Sequence, residues 1–286
     1  MKLRIWVQGA RPRTLGAAIA PVVVGSALAA AQNSFQVGLA LLALLVALGL
    51  QVGVNYANDY SDGVRGTDAN RVGPTRLVGQ GLASPKAVKN AAFFSFAIAL
   101  VAGVLLSITS EQLWLLPVGL VAVFAAWFYT GGKNPYGYRG FGEVVAFVFF
   151  GPVAVLGTSV TQLGKFDINA LWGGLGIGCF AAALLLINNI RDVPSDIKSG
   201  KRTLAVKIGA KNARSLYLLL LVAPFFCLVP LAGQLGNGVF VGLVAAPLAL
   251  LAYRATNPVR ALGLTSLAEL VFALTFSIGV LGFTGV

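Results

Sequence analysis

Several stretches of this chain run apolar for about twenty residues with almost no charge, the length an α-helix needs to cross a bilayer. Inside hydrocarbon each backbone polar group must find its partner within the segment or in a closed barrel, and runs this long and continuous read as helices. They fall at 14–31, 36–57, 88–108, 113–130, 141–161, 168–190, 211–231, 235–254 and 265–284. The fold class this predicts is all-α, a polytopic transmembrane bundle of about nine helices. Only 10% of residues are charged, against about 25% in ordinary soluble domains. Residues 1–286 are therefore expected to form a single integral-membrane domain, with no room for a second, soluble one.

The formal charge of +12 follows from topology. With nine spans the termini lie on opposite sides. Every Lys and Arg except Lys165 then falls on the face that carries the N-terminus. The positive-inside rule makes that face cytoplasmic. The charge needs no nucleic acid to explain it, and none is expected as a partner; the lipid bilayer is. The first thirty residues combine Lys2, Arg4, Arg11 and Arg13 with an apolar run and the Ala-rich SALAAA, as a secretory signal does. The long basic region, and Gly16, Pro21 and Gly25 within the run, favour a retained first span.

The chain has no His, so His-based acid–base catalysis and His-ligated zinc are excluded. Cys179 and Cys227 both sit in apolar runs and read as small core residues. The 9 acids are more telling. Residues 188–203 read NNIRDVPSDIKSGKRT, with Asn188, Asp192 and Asp196 four apart, hence on one face of a helix. Pro194 is expected to weaken the last turn, leaving Asp196 just past it. Residues 58–76 read NDYSDGVRGTDANRVGPTR, with Asn58, Asp59, Asp62 and Asp68 followed by Arg71 and Arg76. Asn58 to Asp62 repeats the spacing of Asn188 to Asp192. A single such Asp is most often a cap or a loop residue. Two matched clusters at helix ends on one membrane face, in so acid-poor a chain, point to a site. Hard divalent ions such as Mg2+ take one or two carboxylates plus substrate phosphates. Acids beside Lys and Arg would hold a diphosphate through such ions, with bases reaching the outer oxygens.

The connections carry the rest. Loop 58–87 and loop 191–210 are long for helix connections. Residues 203–208 suggest a short amphipathic piece against the membrane. Tyr129 and Lys133, four apart at the end of the fourth span, are either an aromatic belt with a snorkelling base or part of a substrate site. Gly173, Gly174, Gly176 and Gly178 read as close helix packing. Glu143 sits at a helix start, where the dipole favours it. Glu269, a turn into the last span, calls for a partner.

The two segments and the nine spans resemble the membrane aromatic prenyltransferase superfamily typified by UbiA. Its Asn-Asp-x-x-Asp motif is matched at Asn58, Asp59 and Asp62, and its Asn-x-x-x-Asp-x-x-x-Asp motif at Asn188, Asp192 and Asp196. Its Tyr-x-x-x-Lys is matched at Tyr129 and Lys133. The first segment departs from the general pattern, having Gly66 where the last Asp would fall and Asp68 two places on. With ARPRTL at 10–15, TGGKNPYGYRGFGE, VFFGPVAVLGT and KRTLAV, this form is similar to the 1,4-dihydroxy-2-naphthoate prenyltransferase branch, over nearly the whole chain.

The resemblance implies helices around a central cavity open sideways to lipid. It implies transfer of a prenyl group from a polyprenyl diphosphate to 1,4-dihydroxy-2-naphthoate, with loss of carbon dioxide and diphosphate, in menaquinone synthesis. That places the chain in a bacterial plasma membrane. Asp59, Asp62, Asp68, Asp192 and Asp196 would hold Mg2+, with two ions expected, and Asn58 and Asn188 would be neutral ligands or orienting donors. Arg71, Lys133, Lys201 and Arg202 are candidates to touch the diphosphate. Arg11 or Arg13 would attract the acceptor carboxylate, or serve only as topological charge. The rival readings are a sister prenyltransferase using 4-hydroxybenzoate or a phosphoribose acceptor, an ion-coupled transporter, and a membrane scaffold without catalysis.

Overall fold

The computed structural model describes residues 2–66 and 75–283. They form helices joined by turns, and no strand occurs among them. Helix α1 (Lys2–Ala10) leads through a 3-10 turn at Pro12–Thr14 into α2 (Gly16–Ala30). The two halves bend by 52° and make one broken apolar span. The hairpin of α3 (Val37–Val64) and α4 (Pro85–Thr109) follows, then the shorter α5 (Leu115–Phe128). Helices α6 (Gly142–Val148) and α7 (Ala154–Leu163) are one span with a π turn, Phe149–Val153, around Pro152. Next come α8 (Ile168–Lys198), α9 (Leu204–Phe226), α10 (Leu228–Leu235), α11 (Ala246–Arg254) and α12 (Pro258–Phe283). A 3-10 stretch, Asn237–Ala245, precedes α11.

Among the described residues seven helices are long and apolar enough to cross a membrane, and the bent α1–α2 pair makes an eighth. Helix α5 is the ninth apolar segment; at 14 residues it is about 21 Å long, less than the roughly 30 Å of hydrocarbon. The chain is a multi-pass membrane protein. Its lipid-facing surface is apolar, as at Phe94 (69% exposed) and Ile278 (66%). Helix α8 is the axis. It packs against α2, α6, α9 and α12, and its apolar window is 72% buried. The glycines expected to allow close packing do so: a Cβ on Gly174 would lie 2.8 Å from Pro152 Cα.

The segments are where the sequence places them, but several helix ends are not. Helix α3 continues to Val64 and α4 starts at Pro85, so Asn58, Asp59 and Asp62 are helical and the connection is 65–84, ten residues shorter in total than the 58–87 expected. Helix α8 runs through Pro194 to Lys198, so Asp196 lies inside the helix. Bonds from the residues just after the helix hold that turn: Lys201 N–H donates to Asp196 O (2.8 Å) and Thr203 Oγ1 to Asp196 Oδ2 (3.3 Å). The expected amphipathic piece is the first stretch of α9, before a break at Gly209 (φ 79°). Helix α12 starts at Pro258, so Glu269 is three turns in rather than one. Among the described residues neither Glu269 oxygen finds the hydrogen-bond partner expected for it, though the side chain is fully buried.

Candidate functional site

The end of α3, the segment at 75–80, the end of α5 with the turn Tyr136–Arg139, the end of α8 and residues 200–203 meet at one end of the bundle. Lys165 lies at the other end, in the turn where Gln32 Nε2 donates to Asp167 Oδ2 (3.0 Å). The local chemistry explains the convergence. Asn58 and Asp62 are one turn apart on α3, and Asn188 and Asp196 two turns apart on α8. All four line one narrow cavity of about 40 Å³. Both carboxylates are buried, Asp62 at 2% exposure and Asp196 at 3%. Arg11, Arg76 and Lys201 bring cations to the same walls, and Tyr129, Thr130 and Tyr138 close the remaining side.

The hydrogen bonds fix the arrangement. Lys201 Nζ bridges to Asp62 Oδ1 at 3.0 Å and stands 4.5 Å from the centre of the Tyr138 ring. The Tyr138 hydroxyl donates to the same Asp62 oxygen. Thr130 Oγ1 donates to Asn58 Oδ1 at 2.8 Å. A buried ion pair persists when further hydrogen bonds complete it, and here a phenol does so. Burial first, and then the Asp62 charge, pushes the Tyr138 phenol above its ordinary value; burial alone does the same to Tyr136. Tyr138 therefore donates as a neutral phenol.

The other expected site residues divide between this cavity and other places. Asp59 is fully buried and accepts the backbone N–H groups of Leu77 (2.8 Å) and Val78 (3.0 Å), pinning the incoming loop. Asp192 lies between Asn188 and Asp196 along α8 and takes a two-point bond from Arg191, 2.8 Å at both Nε and Nη2. Tyr129 lines the cavity with its ring against Tyr136, 5.6 Å between centroids. Lys133 and Arg202 line a second, outer cavity rather than the first. Arg13 is exposed on the 3-10 turn, its carbonyl accepting Ser266 Oγ (2.9 Å), whereas Arg11 reaches the cavity. Asp68 and Arg71 lie outside the described residues.

Sequence assigns no site role to Thr130, Asn189 or Thr203, and leaves Arg76 one base of its cluster and Tyr138 one aromatic of the α5–α6 connection. A base among bases and a Tyr in an aromatic belt give no separate signal; only the structure brings them to Asp62 and Asp196. Glu143 lies at the start of α6 as expected, and its Oε1 accepts from Asn189 Nδ2 at 2.8 Å.

Among the described residues no three His, Cys, Asp or Glu side chains converge as a ready-made metal cage. The cavity nonetheless offers, among the described residues, two carboxylates, Asp62 and Asp196, and the side chains of Asn58, Asn188 and Asn189, a hard donor set with no sulfur or imidazole. That set suits Mg2+, which keeps several waters and completes its shell with phosphate.

Residues 18–276 match the UbiA prenyltransferase family. The chain belongs to that family. It is 50% identical over 97% of its length, and 97% of the relative's, to the 1,4-dihydroxy-2-naphthoate octaprenyltransferase of Mycobacterium tuberculosis. The Bacillus subtilis protein of the same description is 31% identical over 97% of this chain and 92% of its own. In structure, this UbiA-family chain is similar to the apo UbiA homolog from Aeropyrum pernix, with a TM-score of 0.71 at 17% identity over 95% of this chain and 98% of that one. It is also similar to the UbiA homolog from Archaeoglobus fulgidus bound to GPP and Mg2+, with a TM-score of 0.61 at 14% identity over 95% and 99%. At these identities the structural likeness speaks for the fold.

Proposed function

We propose that this chain transfers a polyprenyl group from a polyprenyl diphosphate to 1,4-dihydroxy-2-naphthoate, releasing diphosphate and carbon dioxide and giving demethylmenaquinol for menaquinone synthesis. The observation that carries the reading is the half-identity, over nearly the full length of both chains, to a relative of that description. The geometry supports it with acids from α3 and α8 and three cations around one cavity at one end of the bundle. A transporter would place its acids near mid-membrane, and the acids of this cavity stand at helix ends.

Asp62 and Asp196 would hold Mg2+, with Asn58 and Asn188 supplying neutral oxygens and Asp192 one turn from both α8 groups. When bound, the ion neutralises charge that develops on the leaving diphosphate. The chain's own residues do the remainder. Arg11 and Arg76, on the cavity walls, would stabilise the same charge, and Lys201 would join them on release from Asp62. A cavity of about 40 Å³ holds only a few waters, so a diphosphate enters once the Lys201 arm leaves Asp62. The released ammonium is then free to follow the phosphate. Tyr138, neutral and hydrogen-bonded to Asp62, keeps that carboxylate oriented while the cation moves. The carbon–oxygen bond of the allylic diphosphate breaks with its electron pair going to oxygen. The electron-rich naphthoate ring attacks the allyl cation, and the ring carboxylate departs as carbon dioxide. Exclusion of water protects the cation.

Residues 1–286 act in this reading as one integral-membrane domain in a bacterial plasma membrane, with the N-terminus and the site on the cytoplasmic side. The test is purified protein with one allylic diphosphate and either dihydroxynaphthoate or 4-hydroxybenzoate, with Mg2+ or EDTA. Prenylated naphthol product with Mg2+ alone is the expected result. Turnover of hydroxybenzoate in its place would move the chain to a sister activity.

A further inference from the structure

A second cavity, about 360 Å³, lies on the outer side of Tyr138, which lines both cavities. Its charged walls are Lys133 and Arg139 from the α5–α6 connection, Arg202 from the α8–α9 connection and Lys207 from the start of α9; among the described residues no carboxylate lines it. Consecutive residues divide the work: Lys201 is buried in the inner cavity and Arg202 is exposed in the outer one. The two connections are joined by Arg202 N–H donating to Tyr138 O (2.9 Å) and by Lys207 Nζ donating to Arg139 O (2.7 Å). They touch so closely at Gly140 (φ 76°) that a Cβ there would stand 3.2 Å from Leu204 N. The walls are built, and not two loops that happen to pass.

Topology requires bases on this face of the membrane. It does not require four of them around one hollow, where like charges repel. What such a hollow fits is a compact polyanion, with Arg forks and Lys ammonium groups matching phosphate oxygens.

We propose that this outer cavity is a second binding site, for a phosphoanion of the diphosphate class, held without metal by Lys133, Arg139, Arg202 and Lys207. The site would dock the phosphate groups of the incoming lipid diphosphate, or the free diphosphate on its way out, with Tyr138 and Lys201 as the partition to the inner cavity. Its chemistry stands on the cavity alone; only its place in the reaction rests on the prenyl-transfer reading.

The test uses the full chain in phosphatidylcholine nanodiscs with EDTA, titrated with inorganic pyrophosphate by calorimetry. Wild type is expected to bind pyrophosphate without metal. Arg139→Gln with Lys207→Gln should weaken binding about tenfold or more, and Lys165→Ala should leave it unchanged. The charge-preserving pair Arg139→Lys with Lys207→Arg should retain binding, which separates lost charge from lost folding. Repeating the titration with phosphatidylglycerol in the disc identifies the source. Competition by that lipid makes a headgroup phosphate the occupant, and no competition makes it the free diphosphate. Absence of metal-free binding in both discs, or binding that the double Gln variant leaves intact, would overturn the proposal. Prenyl transfer is followed in parallel with Mg2+. Its failure beside intact pyrophosphate binding would count against the enzymatic reading and not against this site.

Discussion

Among the described residues, the bonds of Asp59 and Asp62 at the end of α3 span more of the chain than the bonds of Asp192 to Arg191 and of Asp196 to Thr203. Asp59 takes two backbone N–H groups from the 75–80 segment, and Asp62 takes Lys201 from beyond α8. Asp192 is gripped by the adjacent Arg191, and Asp196 by Thr203 seven residues on. The α3 cluster thus joins separate elements as well as facing the cavity. The α8 cluster sits on a helix already fixed by its burial. A carboxylate removed from α3 should therefore cost structure as well as chemistry, because it unties elements far apart in the sequence.

The largest expected effect is on turnover. Asp62→Asn and Asp196→Asn should each lower kcat by about 100- to 1000-fold, the scale on which removing a charge-stabilising group acts. Asp62→Asn should also lower the thermal midpoint, since it breaks the bridge to Lys201. An unchanged midpoint in Asp62→Asn would break the comparison. Next is Asp59→Ala, which strands the N–H groups of Leu77 and Val78 and should cost on the order of 2 kcal/mol. Thermal unfolding in detergent reads it directly. A smaller effect is the alkaline one. The phenols of Tyr136 and Tyr138 are held above their ordinary value, so the unfolded chain loses those protons first as pH rises past about 10. Stability present below that pH is then lost above it, and Tyr138→Phe should flatten the decline in a pH series of melts. The smallest is Lys165→Ala, at the far end of the bundle, which should leave activity unchanged; a large loss would refute the assigned sidedness.

The spans were legible because hydrocarbon demands a length and a composition that little else produces. Their ends were not. Asn58, Asp59 and Gly63 look like helix-ending residues, and Pro194 like a break, yet α3 and α8 continue because contacts from Leu77, Val78, Lys201 and Thr203 hold those turns. Of the candidate site, Asn58, Asp62, Asn188, Asp196, Tyr129 and Lys201 come together as spacing and resemblance led one to expect. Asp59 was hidden in its anchoring role because a carboxylate bonded to a distant loop has the same sequence signature as one facing a ligand. Lys133 and Arg202 could not be parted from Lys201 by sequence, since which way consecutive side chains point is set by the packing of Tyr138.

The central claim is that α3 and α8 each contribute a carboxylate to one site for a metal–diphosphate. Electron paramagnetic resonance of Mn2+, standing in for Mg2+, tests it most directly when titrated into wild type, Asp62→Asn and Asp196→Asn with an allylic diphosphate present. Each substitution should weaken Mn2+ binding about tenfold or more. Wild-type affinity in either variant would contradict a site shared between the two helices.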